Sequence, residues 1–599
     1  MSGSSVRTVV QAIEDAAAST KTGYRFIDES TDRRDAEPLP AEPFFTHAGI
    51  ERASARYGGA LQALGAKKGD RVALILPDNA DFVFTFLGAI RAGLVPVPIY
   101  PPTGLGKLAG YLDNTLHVVE KSGARLLVTN GDIKRMLGTI QARAPELARV
   151  VAIEGVHRMR EELKPAKVAL DDTCFLQFTS GSTSRPKGVV LTHANLAANV
   201  KAIMPQGLGI RDSVDSGASW LPLYHDMGLI GFVIAPLYHV NTITFLPPLL
   251  FLKRPVRWLE TISRYRANIS FGPNFAYALC VKRIKESEAA GLDLSSWRVA
   301  GCGAEPIRAE NLRAFADRFA PAGFSDKAFV CCYGMAESTL AVSFSKLGSG
   351  VPVDVVDGAS LWGEGRAVPI DPATAPEGAA APITQCGAAF PDHDIQVFAP
   401  EDEASERPLE EREVGEVRLR GPSLMSGYFN EPELTRAAFA GGWLKTGDLG
   451  YLASGNVHIC GRAKEVIIVN GRNYYPQDLE WETGKVEGVR RGNVVAFGTM
   501  KPQNDRERVI ICFETNLAGE AERTALKAEV RRAVQQALGL TVDDVVPLAV
   551  GALPKTSSGK LQRRMTRELY ETGSLLDRGS AREVDPVTLA KELAKSQVG

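Results

Sequence analysis

The sequence has few of the features that mark metal-cluster, membrane or nucleic-acid-binding proteins. Its eight cysteines are scattered over 599 residues, with no C-x-x-C pair and only Cys331 and Cys332 adjacent. This spacing argues against a zinc module or a disulfide framework. No apolar run approaches the ~20 residues that a membrane span requires. The formal net charge of −1 gives no electrostatic reason to expect nucleic acid or an anionic membrane as a partner.

The first residues also lack the pattern of a secretory signal, which is a basic segment followed by a long apolar core. We therefore expect a cytoplasmic protein whose thiols are reduced and mostly buried. A content of 45% hydrophobic and 23% charged residues is ordinary for a globular protein with several cores.

Hydrophobic patterning predicts an α/β protein. Residues 50–66, "IERASARYGGALQALGA", carry apolar residues at helical spacing, whereas "RVALILP" and "ARLLVTN" are short strand patterns. This alternation is typical of parallel sheets covered by helices. The segment Lys346–Gln385 interrupts it and is rich in Gly, Pro and Ala, so we interpret it as an insertion. Within it, "VDGASLWGEG" favours a short helix that carries Leu361 and Trp362.

A β-rich region follows the insertion, and a smaller α/β portion ends the chain. We predict a boundary that divides the chain into residues 1–463 and 464–599.

One loop has the chemistry of an anion site. The stretch "QFTSGSTSRPKG", Gln177–Gly188, combines small residues, hydroxyl groups and a lysine, which together can surround a phosphate. It is not a Walker loop, because Lys187 precedes Gly188 instead of following it. Strand-like flanks predict that the loop joins a hairpin. Composition alone fits a solvated Ser/Gly tip equally well. The candidate phosphate contacts are Thr179, Ser180, Gly181, Ser182, Thr183 and Lys187.

Four further motifs lie downstream in one order: "CYGMAEST" (332–339), "TGDLGYL" (446–452), "GRAKEVIIVNGRNYYPQDLE" (461–480) and "LPKTSSGKLQR" (553–563). With the loop, they resemble the adenylate-forming enzymes, which include acyl-CoA synthetases, peptide-synthetase adenylation domains and luciferases. The stretches "VPVPIYPP" and "WLPLYHDMGLIGFVIAPL", together with the insertion, resemble the fatty acyl-AMP ligase branch.

The resemblance implies a large N-terminal domain of three subdomains, two with parallel-rich sheets and helices and one β-rich, and a small mobile α/β C-terminal domain. It implies that a fatty acid reacts with ATP, assisted by Mg²⁺, to give acyl-AMP and pyrophosphate. The acyl group would then pass to the phosphopantetheine of an acyl carrier protein or of a carrier domain in a polyketide or peptide synthase. It further implies that the insertion packs on the N-terminal domain and restricts movement of the C-terminal domain.

Residue roles follow from the matching motif positions. Lys560 matches the catalytic lysine, Lys464 the hinge residue and Glu337 the Mg²⁺ ligand. The acyl pocket would be lined by His225, Asp226, Met227, Gly228, Phe271 and Gly272. The adenine and ribose contacts would be Gly303, Ala304, Glu305, Tyr333, Gly334, Met335, Ala336, Asp448 and Arg462.

Two alternatives remain at this stage. An acyl-CoA synthetase shares the motifs, although many such relatives carry a basic residue near the CoA phosphates where this chain has Asn473. A non-catalytic lipid or nucleotide sensor on the same fold is the other; the retained Lys560, Glu337 and Asp448 argue against it.

Overall fold

A computed structural model describes residues 6–27, 42–102, 108–138, 140–179, 185–376, 379–400, 407–469, 472–499, 507–555 and 560–577. The chain forms two compact units. Unit 1 consists of Met1–Val356, Gly365–Asp371 and Pro382–Cys460. Unit 2 consists of Asp357–Glu364, Pro372–Ala381 and Gly461–Gly599.

The strands up to residue 302 are β1 Gly23–Phe26, β2 Phe44–Thr46, β3 Arg71–Ile75, β4 Val95–Pro98, β5 Ala124–Thr129, β6 Arg149–Ala152, β7 Thr173–Phe178, β8 Gly188–Thr192, β9 Ser216–Ser219, β10 Thr242–Phe245, β11 Ile269–Gly272 and β12 Val299–Cys302. Those that follow are β13 Phe329–Tyr333, β14 Ser343–Phe344, β15 Val353–Asp357, β16 Ala380–Thr384, β17 Ala388–Ala389, β18 Asp394–Phe398, β19 Gly415–Arg420, β20 Gly427–Tyr428, β21 Phe439–Ala440, β22 Trp443–Ala453, β23 Asn456–Arg462, β24 Ile467–Val469, β25 Arg472–Tyr474, β26 Val494–Thr499, β27 Arg508–Glu514 and β28 Asp544–Leu548.

The helices up to residue 265 are α1 Val9–Ala16, α2 His47–Ala63, α3 Asn79–Arg91, α4 Leu108–Ser122, α5 Gly131–Leu137, α6 Ile140–Arg143, α7 Ile153–Val156, α8 His193–Lys201, α9 Asp226–Leu229, α10 Ala235–His239, α11 Pro248–Lys253 and α12 Val256–Tyr265. Those that follow are α13 Asn274–Arg283, α14 Glu286–Ala289, α15 Ala309–Phe319, α16 Gly358–Gly363, α17 Pro432–Ala438, α18 Pro476–Lys485, α19 Glu520–Leu538, α20 Arg563–Glu571 and α21 Ser574–Asp577.

The largest sheet of unit 1 has nine strands in the order β17-β14-β13-β12-β11-β9-β10-β1-β2. Its central strands, from β13 to β1, are parallel, and antiparallel strands close both edges. Aromatic residues fill the adjoining core, where the fully buried Trp258 packs edge-to-face against Trp297 and Tyr277. Because all these strands run in one direction, their carboxyl ends meet along one edge of the sheet.

A second sheet of unit 1, β4-β3-β5-β6, is entirely parallel. A β-rich part contains the antiparallel order β18-β19-β22-β21, and β7 and β8 form an antiparallel pair that β20 extends. The prediction of two parallel-rich sheets, covering helices and a β-rich part is confirmed, as is the hairpin that flanks the phosphate loop.

Unit 2 contains a three-stranded sheet, β26-β27-β28, against which α18 and α19 pack. The valine-rich face of α19, with Leu526, Val530 and Val534, is buried in its core. Its antiparallel pair β24-β25 lies near the start of the segment Gly461–Gly599. The division between Cys460 and Gly461 lies a few residues before the boundary that the sequence predicts.

The insertion contains the short helix that the sequence predicts. Asp357 caps α16 by accepting a hydrogen bond of 2.7 Å from the Ser360 N–H. Trp362 packs on the ring of Tyr475 with 4.9 Å between centroids, and Leu361 is 1% exposed. The helix groups with unit 2, whereas residues 346–356, 365–371 and 382–385 of the insertion group with unit 1. The expectation that the insertion packs on the N-terminal domain therefore does not hold for α16. Residues 377–378 of the insertion lie outside the described residues.

All eight cysteines are free thiols, and seven are buried, as predicted. Among the described residues, no helix combines the length and the apolar character needed to cross a membrane.

Candidate active site

Several predicted site residues lie along one edge of the nine-stranded sheet. Phe271 and Gly272 end β11, Gly303 follows β12 directly, and Tyr333 ends β13. These strands are parallel neighbours, in the order β13-β12-β11. Ligands of open α/β sheets bind outside the carboxyl ends of the strands. The fold therefore gathers predicted acyl and adenine contacts that are up to 62 residues apart, from Phe271 to Tyr333.

Close packing leaves no room for a side chain at two glycines of this row. A Cβ atom on Gly303 would lie 2.5 Å from Sγ of Cys332, and one on Gly334 would lie 1.9 Å from the carbonyl oxygen of Leu340. Ala304 adopts a left-handed conformation, with φ of 68°. The neighbouring Glu305 accepts a hydrogen bond of 2.6 Å from the Phe275 N–H. The turn after β12 is thus held close to β13 by geometry that larger residues would disrupt.

Tyr333 and Asp448 lie together. The Tyr333 hydroxyl donates a hydrogen bond of 2.8 Å to Oδ2 of Asp448, and both side chains are buried. Thr446 lies two residues before Asp448. Its hydroxyl donates to the Val417 carbonyl and accepts a hydrogen bond from the Asp448 N–H. The predicted adenine-stacking ring and the predicted ribose-binding carboxylate are therefore parts of one arrangement.

Glu337 lies in the one-turn 3₁₀ helix Ala336–Ser338, which Met335 precedes. Its Oε1 accepts a hydrogen bond of 2.9 Å from the Tyr428 hydroxyl. Directly after this helix in the sequence, Thr339 has φ of 70° and ψ of −63°, and the Leu340 N–H donates to the Ser338 carbonyl. This is a γ-turn of the rare, strained kind, a conformation that persists only where the surroundings impose it. The Thr339 hydroxyl, which donates to the Ser423 carbonyl at 2.6 Å, is one such restraint.

Tyr428 is a residue that the sequence interpretation missed. Burial, and then the Glu337 carboxylate, raise the pKa of Tyr428 well above its ordinary value. Its phenol is therefore a neutral donor to Glu337 at physiological pH. No local pattern identifies it, because it lies 91 residues from Glu337 in sequence.

The phosphate loop is described at its two ends. The Thr179 N–H donates to the Lys187 carbonyl at 3.0 Å, and the Lys187 N–H donates to Oγ1 of Thr179 at 3.3 Å. Nζ of Lys187 lies 4.7 Å from the centroid of the Tyr428 ring. The predicted contacts Ser180, Gly181, Ser182 and Thr183 lie outside the described residues.

The predicted acyl-pocket residues flank an irregular helix. Nδ1 of His225 donates to Oδ1 of Asp226 at 2.8 Å, directly before α9, which contains Met227 and Gly228. Ile230–Ile234 then form a π-helical turn before α10, an irregularity frequent at functional sites. Phe232 of this turn packs edge-to-face on Phe271, with 6.1 Å between centroids. The fold thus brings part of the two predicted acyl segments together.

The sequence profile of the family described as AMP-binding enzyme matches residues 33–429. The chain belongs to the AMP-binding enzymes. A Caulobacter vibrioides protein provisionally named an acyl-CoA synthetase is 41% identical over 86% of this chain and 88% of the relative. A medium-chain-fatty-acid–[acyl-carrier-protein] ligase of Moorena producens is 33% identical over 85% of this chain and 87% of the relative.

A solved structure from work on fatty acyl-adenylate ligases of E. coli and L. pneumophila is also similar. It is 35% identical, has a TM-score of 0.86, and the match covers 94% of this chain and 98% of that one. The resemblance to fatty acyl-AMP ligases is therefore confirmed.

The remaining predicted residues of this AMP-binding enzyme belong to unit 2. Arg462 and Lys464 are exposed, and Lys464 lies in the 3₁₀ turn Ala463–Glu465. Lys560 is half-buried. Asn473 pairs with Ile468 in the β24-β25 hairpin. Their roles stay predictions.

Unit 2 of this AMP-binding enzyme also has a half-buried ion-pair network that sequence interpretation missed. Arg563, three residues beyond Lys560, pairs with Glu465 and, at 2.8 Å, with Glu480. It also donates to the Ala496 carbonyl at 2.9 Å. The residue after the predicted hinge is thereby tied to the helix that follows the predicted lysine.

The carboxylate of Glu337 fits a Mg²⁺ ion in its donor chemistry. Among the described residues, no group of three His, Cys, Asp or Glu side chains is arranged to hold a metal. Mg²⁺ in nucleotide enzymes is typically held by one or two carboxylates and the substrate phosphates, with several waters retained. A single hard oxygen donor, linked through Tyr428 to Lys187, is consistent with that mode of binding.

Proposed function

We propose that this AMP-binding enzyme joins a fatty acid to AMP, releases pyrophosphate, and transfers the acyl group to the phosphopantetheine thiol of a carrier protein or carrier domain. The reaction would occur in the cytoplasm. ATP and Mg²⁺ are required for the first step.

The observation that supports this proposal most is the hydrogen bond between Tyr333 and Asp448, beside the row of glycine turns. An aromatic ring and a carboxylate held together can stack on a base and accept two ribose hydroxyls. Glu337 follows Tyr333 within four residues, and Lys187 flanks the phosphate loop. The chain thus offers a proposed contact for each part of ATP: the base, the ribose and the phosphates.

In the first step, an oxygen of the fatty-acid carboxylate attacks the α-phosphorus of ATP. The bond between that phosphorus and the bridging oxygen breaks, and pyrophosphate leaves. The obstacle is repulsion between the carboxylate and the triphosphate, so the positive charges of Lys187 and Lys560 are the main contributions of the protein. When bound at Glu337, Mg²⁺ would offset part of the phosphate charge.

In the second step, the carrier thiolate attacks the acyl carbonyl carbon, a thioester forms, and AMP leaves. A C-terminal domain from about residue 464 carries Lys560, and Lys464 serves as the hinge on which it turns between the two steps. His225, whose ring donates to Asp226, positions the junction of the acyl and nucleotide sites and does not transfer a proton.

A second candidate function is acyl-CoA synthesis, which the name of the Caulobacter relative favours. Both enzymes make the same acyl-AMP, and they differ in the thiol that accepts the acyl group. Adenylation alone therefore does not separate them.

The test is pyrophosphate release from ATP with fatty acids of graded chain length, followed by identification of the acyl product with free CoA or with a phosphopantetheinylated carrier protein. We expect pyrophosphate release, efficient loading of the carrier and little acyl-CoA. The unmodified carrier, which lacks the thiol, is the matched control. Efficient acyl-CoA synthesis would select the second candidate, and no pyrophosphate release with any fatty acid would reject both.

A further inference from the structure

Tyr428 contacts two residues to which the proposed function assigns different ligands, the metal ion and the phosphates of ATP. Its hydroxyl donates a hydrogen bond of 2.9 Å to Oε1 of Glu337, the proposed metal ligand. Its ring lies under Nζ of Lys187, the proposed phosphate contact, at 4.7 Å from the centroid. One half-buried side chain therefore bridges the proposed metal and phosphate contacts.

The backbone around Tyr428 is fixed to both sides of this bridge. Strand β20 pairs with β8, so that Tyr428 lies opposite Val189, just after the phosphate loop. The Phe429 N–H donates to the Gly188 carbonyl at 2.8 Å. The Met425 N–H donates to the Glu337 carbonyl, also at 2.8 Å. The segment from 425 to 429 thus binds the backbone of the loop hairpin and that of the Glu337 turn.

We propose that Tyr428 is a positioning residue that couples Mg²⁺ binding to phosphate binding. A directional hydrogen bond limits the rotation of a carboxylate, which otherwise samples several rotamers. The aromatic face holds the Lys187 ammonium group through a cation–π interaction. This inference rests on the proposed function, because it takes Glu337 as the metal ligand and Lys187 as a phosphate contact.

The same contacts would exist if Tyr428 served stability alone. The two roles differ in what they predict for the Mg²⁺ requirement of nucleotide binding. Loss of a merely stabilising residue lowers the melting temperature in the absence of ligand and leaves the Mg²⁺ dependence unchanged. Loss of a positioning residue raises the Mg²⁺ concentration needed for the nucleotide to bind.

The test is a thermal-shift titration, in which the rise in melting temperature caused by ATP is followed as Mg²⁺ increases. Removing an outer partner of a metal ligand typically weakens metal binding about 10–100-fold. The phosphates of ATP also bind the ion, so Glu337 contributes only part of its binding. We therefore expect the half-maximal Mg²⁺ concentration to rise about 3–10-fold in Tyr428→Phe. Mn²⁺ binding in the presence of ATP, followed by electron paramagnetic resonance, should weaken in parallel.

The matched control is Tyr451→Phe, which removes a Tyr hydroxyl hydrogen bond of 2.9 Å to Asp354 elsewhere in unit 1. It should lower the melting temperature without changing the Mg²⁺ midpoint. Equal Mg²⁺ midpoints for Tyr428→Phe, Tyr451→Phe and the wild type would overturn the inference.

Two further variants separate the contacts. Tyr428→Phe keeps the ring beneath Lys187, whereas Tyr428→Leu removes it, so only the leucine variant should also weaken ATP binding without Mg²⁺. If Tyr428 acts through Glu337, the double variant Tyr428→Phe/Glu337→Gln should have the Mg²⁺ midpoint of Glu337→Gln alone. Additive shifts in that double variant would contradict the coupling.

These titrations need no turnover, so a wild type that binds Mg·ATP but releases no pyrophosphate would reject the proposed function and not this inference.

Discussion

The Tyr333 hydroxyl donates a hydrogen bond of 2.8 Å to Oδ2 of Asp448, although 115 residues separate the two in sequence. Tyr333 ends a strand of the nine-stranded sheet, and Asp448 lies in β22 of the β18-β19-β22-β21 sheet. Both are buried. The bond therefore fixes the relative position of two sheets within unit 1 at the proposed nucleotide site.

The first prediction concerns this bond. Tyr333→Phe keeps the ring for stacking but removes the donor that orients Asp448. Since a hydrogen bond to a charged group contributes about 1.5–3 kcal/mol, we expect the KM for ATP to rise about 10-fold or more, with little change in the KM for the fatty acid. Steady-state pyrophosphate release measures both constants.

Tyr570→Phe is the control for that variant, because its hydroxyl donates to Asp544 at 2.7 Å within unit 2. It should leave both KM values unchanged. An unaltered KM for ATP in Tyr333→Phe would show that the bond does not serve nucleotide binding.

The second prediction compares two lysines of one motif, "LPKTSSGKLQR". Lys560→Ala should reduce acyl-AMP formation about 10²–10³-fold, the usual effect of losing one oriented charge-stabilising donor. ATP binding, and carrier loading from pre-formed acyl-AMP, should be retained. Rapid-quench measurement of acyl-AMP and calorimetric ATP binding separate these steps.

Lys555→Ala is the matched control, because Nζ of Lys555 donates a hydrogen bond of 2.6 Å to Oδ1 of Asn493 within unit 2. It should lower the melting temperature and change the adenylation rate little. Near-normal adenylation by Lys560→Ala would remove Lys560 from the catalytic role.

The third prediction concerns acid stability. The Val9 N–H donates to Nδ1 of the buried His193 at 3.1 Å, and a protonated Nδ1 cannot accept it. Burial lowers the pKa of His193 from 6.5 to about 4, against the opposing effect of Asp172. The folded state therefore binds the proton more weakly than the unfolded state. The stabilisation is complete above about pH 6.5 and is lost as the pH falls through about 4.

At about pH 5 the expected loss of unfolding free energy from His193 is about 2 kcal/mol. His193→Asn offers an amide oxygen to the Val9 N–H without taking up a proton, so it should reduce the fall in urea midpoint between about pH 7.5 and about pH 5. His157→Asn, at a side chain that is 40% exposed, is the control. An identical fall in all three proteins would contradict the assignment to His193.

The elements that could be predicted from the sequence are those with local signals. Helix α2, strand β3 and the β7-β8 hairpin follow from apolar periodicity and turn composition, and the capped helix α16 was predicted from ten residues. Gly334 lies in the motif "CYGMAEST", and the space around both Gly303 and Gly334 excludes a Cβ atom. Their roles as nucleotide contacts stay predictions.

The contacts that could not be predicted join residues distant in sequence. Tyr428 reaches Glu337 across 91 residues, and Arg563 reaches Glu465 across 98. Such pairs depend on strand order and on packing, which no local pattern of residue types encodes. For the same reason, composition did not reveal that Trp362 packs on Tyr475 and places α16 in unit 2.

That packing leads to the fourth prediction. The chain passes between the units at 356/357, 364/365, 371/372, 381/382 and 460/461. Because α16 belongs to unit 2 while its flanking segments belong to unit 1, the insertion adds covalent connections that a single hinge would not provide. Such connections should restrict the rotation that acyl transfer to free CoA requires.

Trp362→Ala should loosen this restriction, because an aromatic pair contributes about 0.5–1.5 kcal/mol beyond its buried area. We expect the yield of acyl-CoA to rise about 2–10-fold, following the conversion of that energy into a population shift. The rate of acyl-AMP formation should not change, which pyrophosphate release in the same samples measures. Trp443→Ala, at a partly buried ring that packs on Phe398 in unit 1, is the control. If acyl-CoA stays at the wild-type level in Trp362→Ala and in a variant that lacks 357–364, the choice of thiol is set by the surface around Asn473 and not by the insertion.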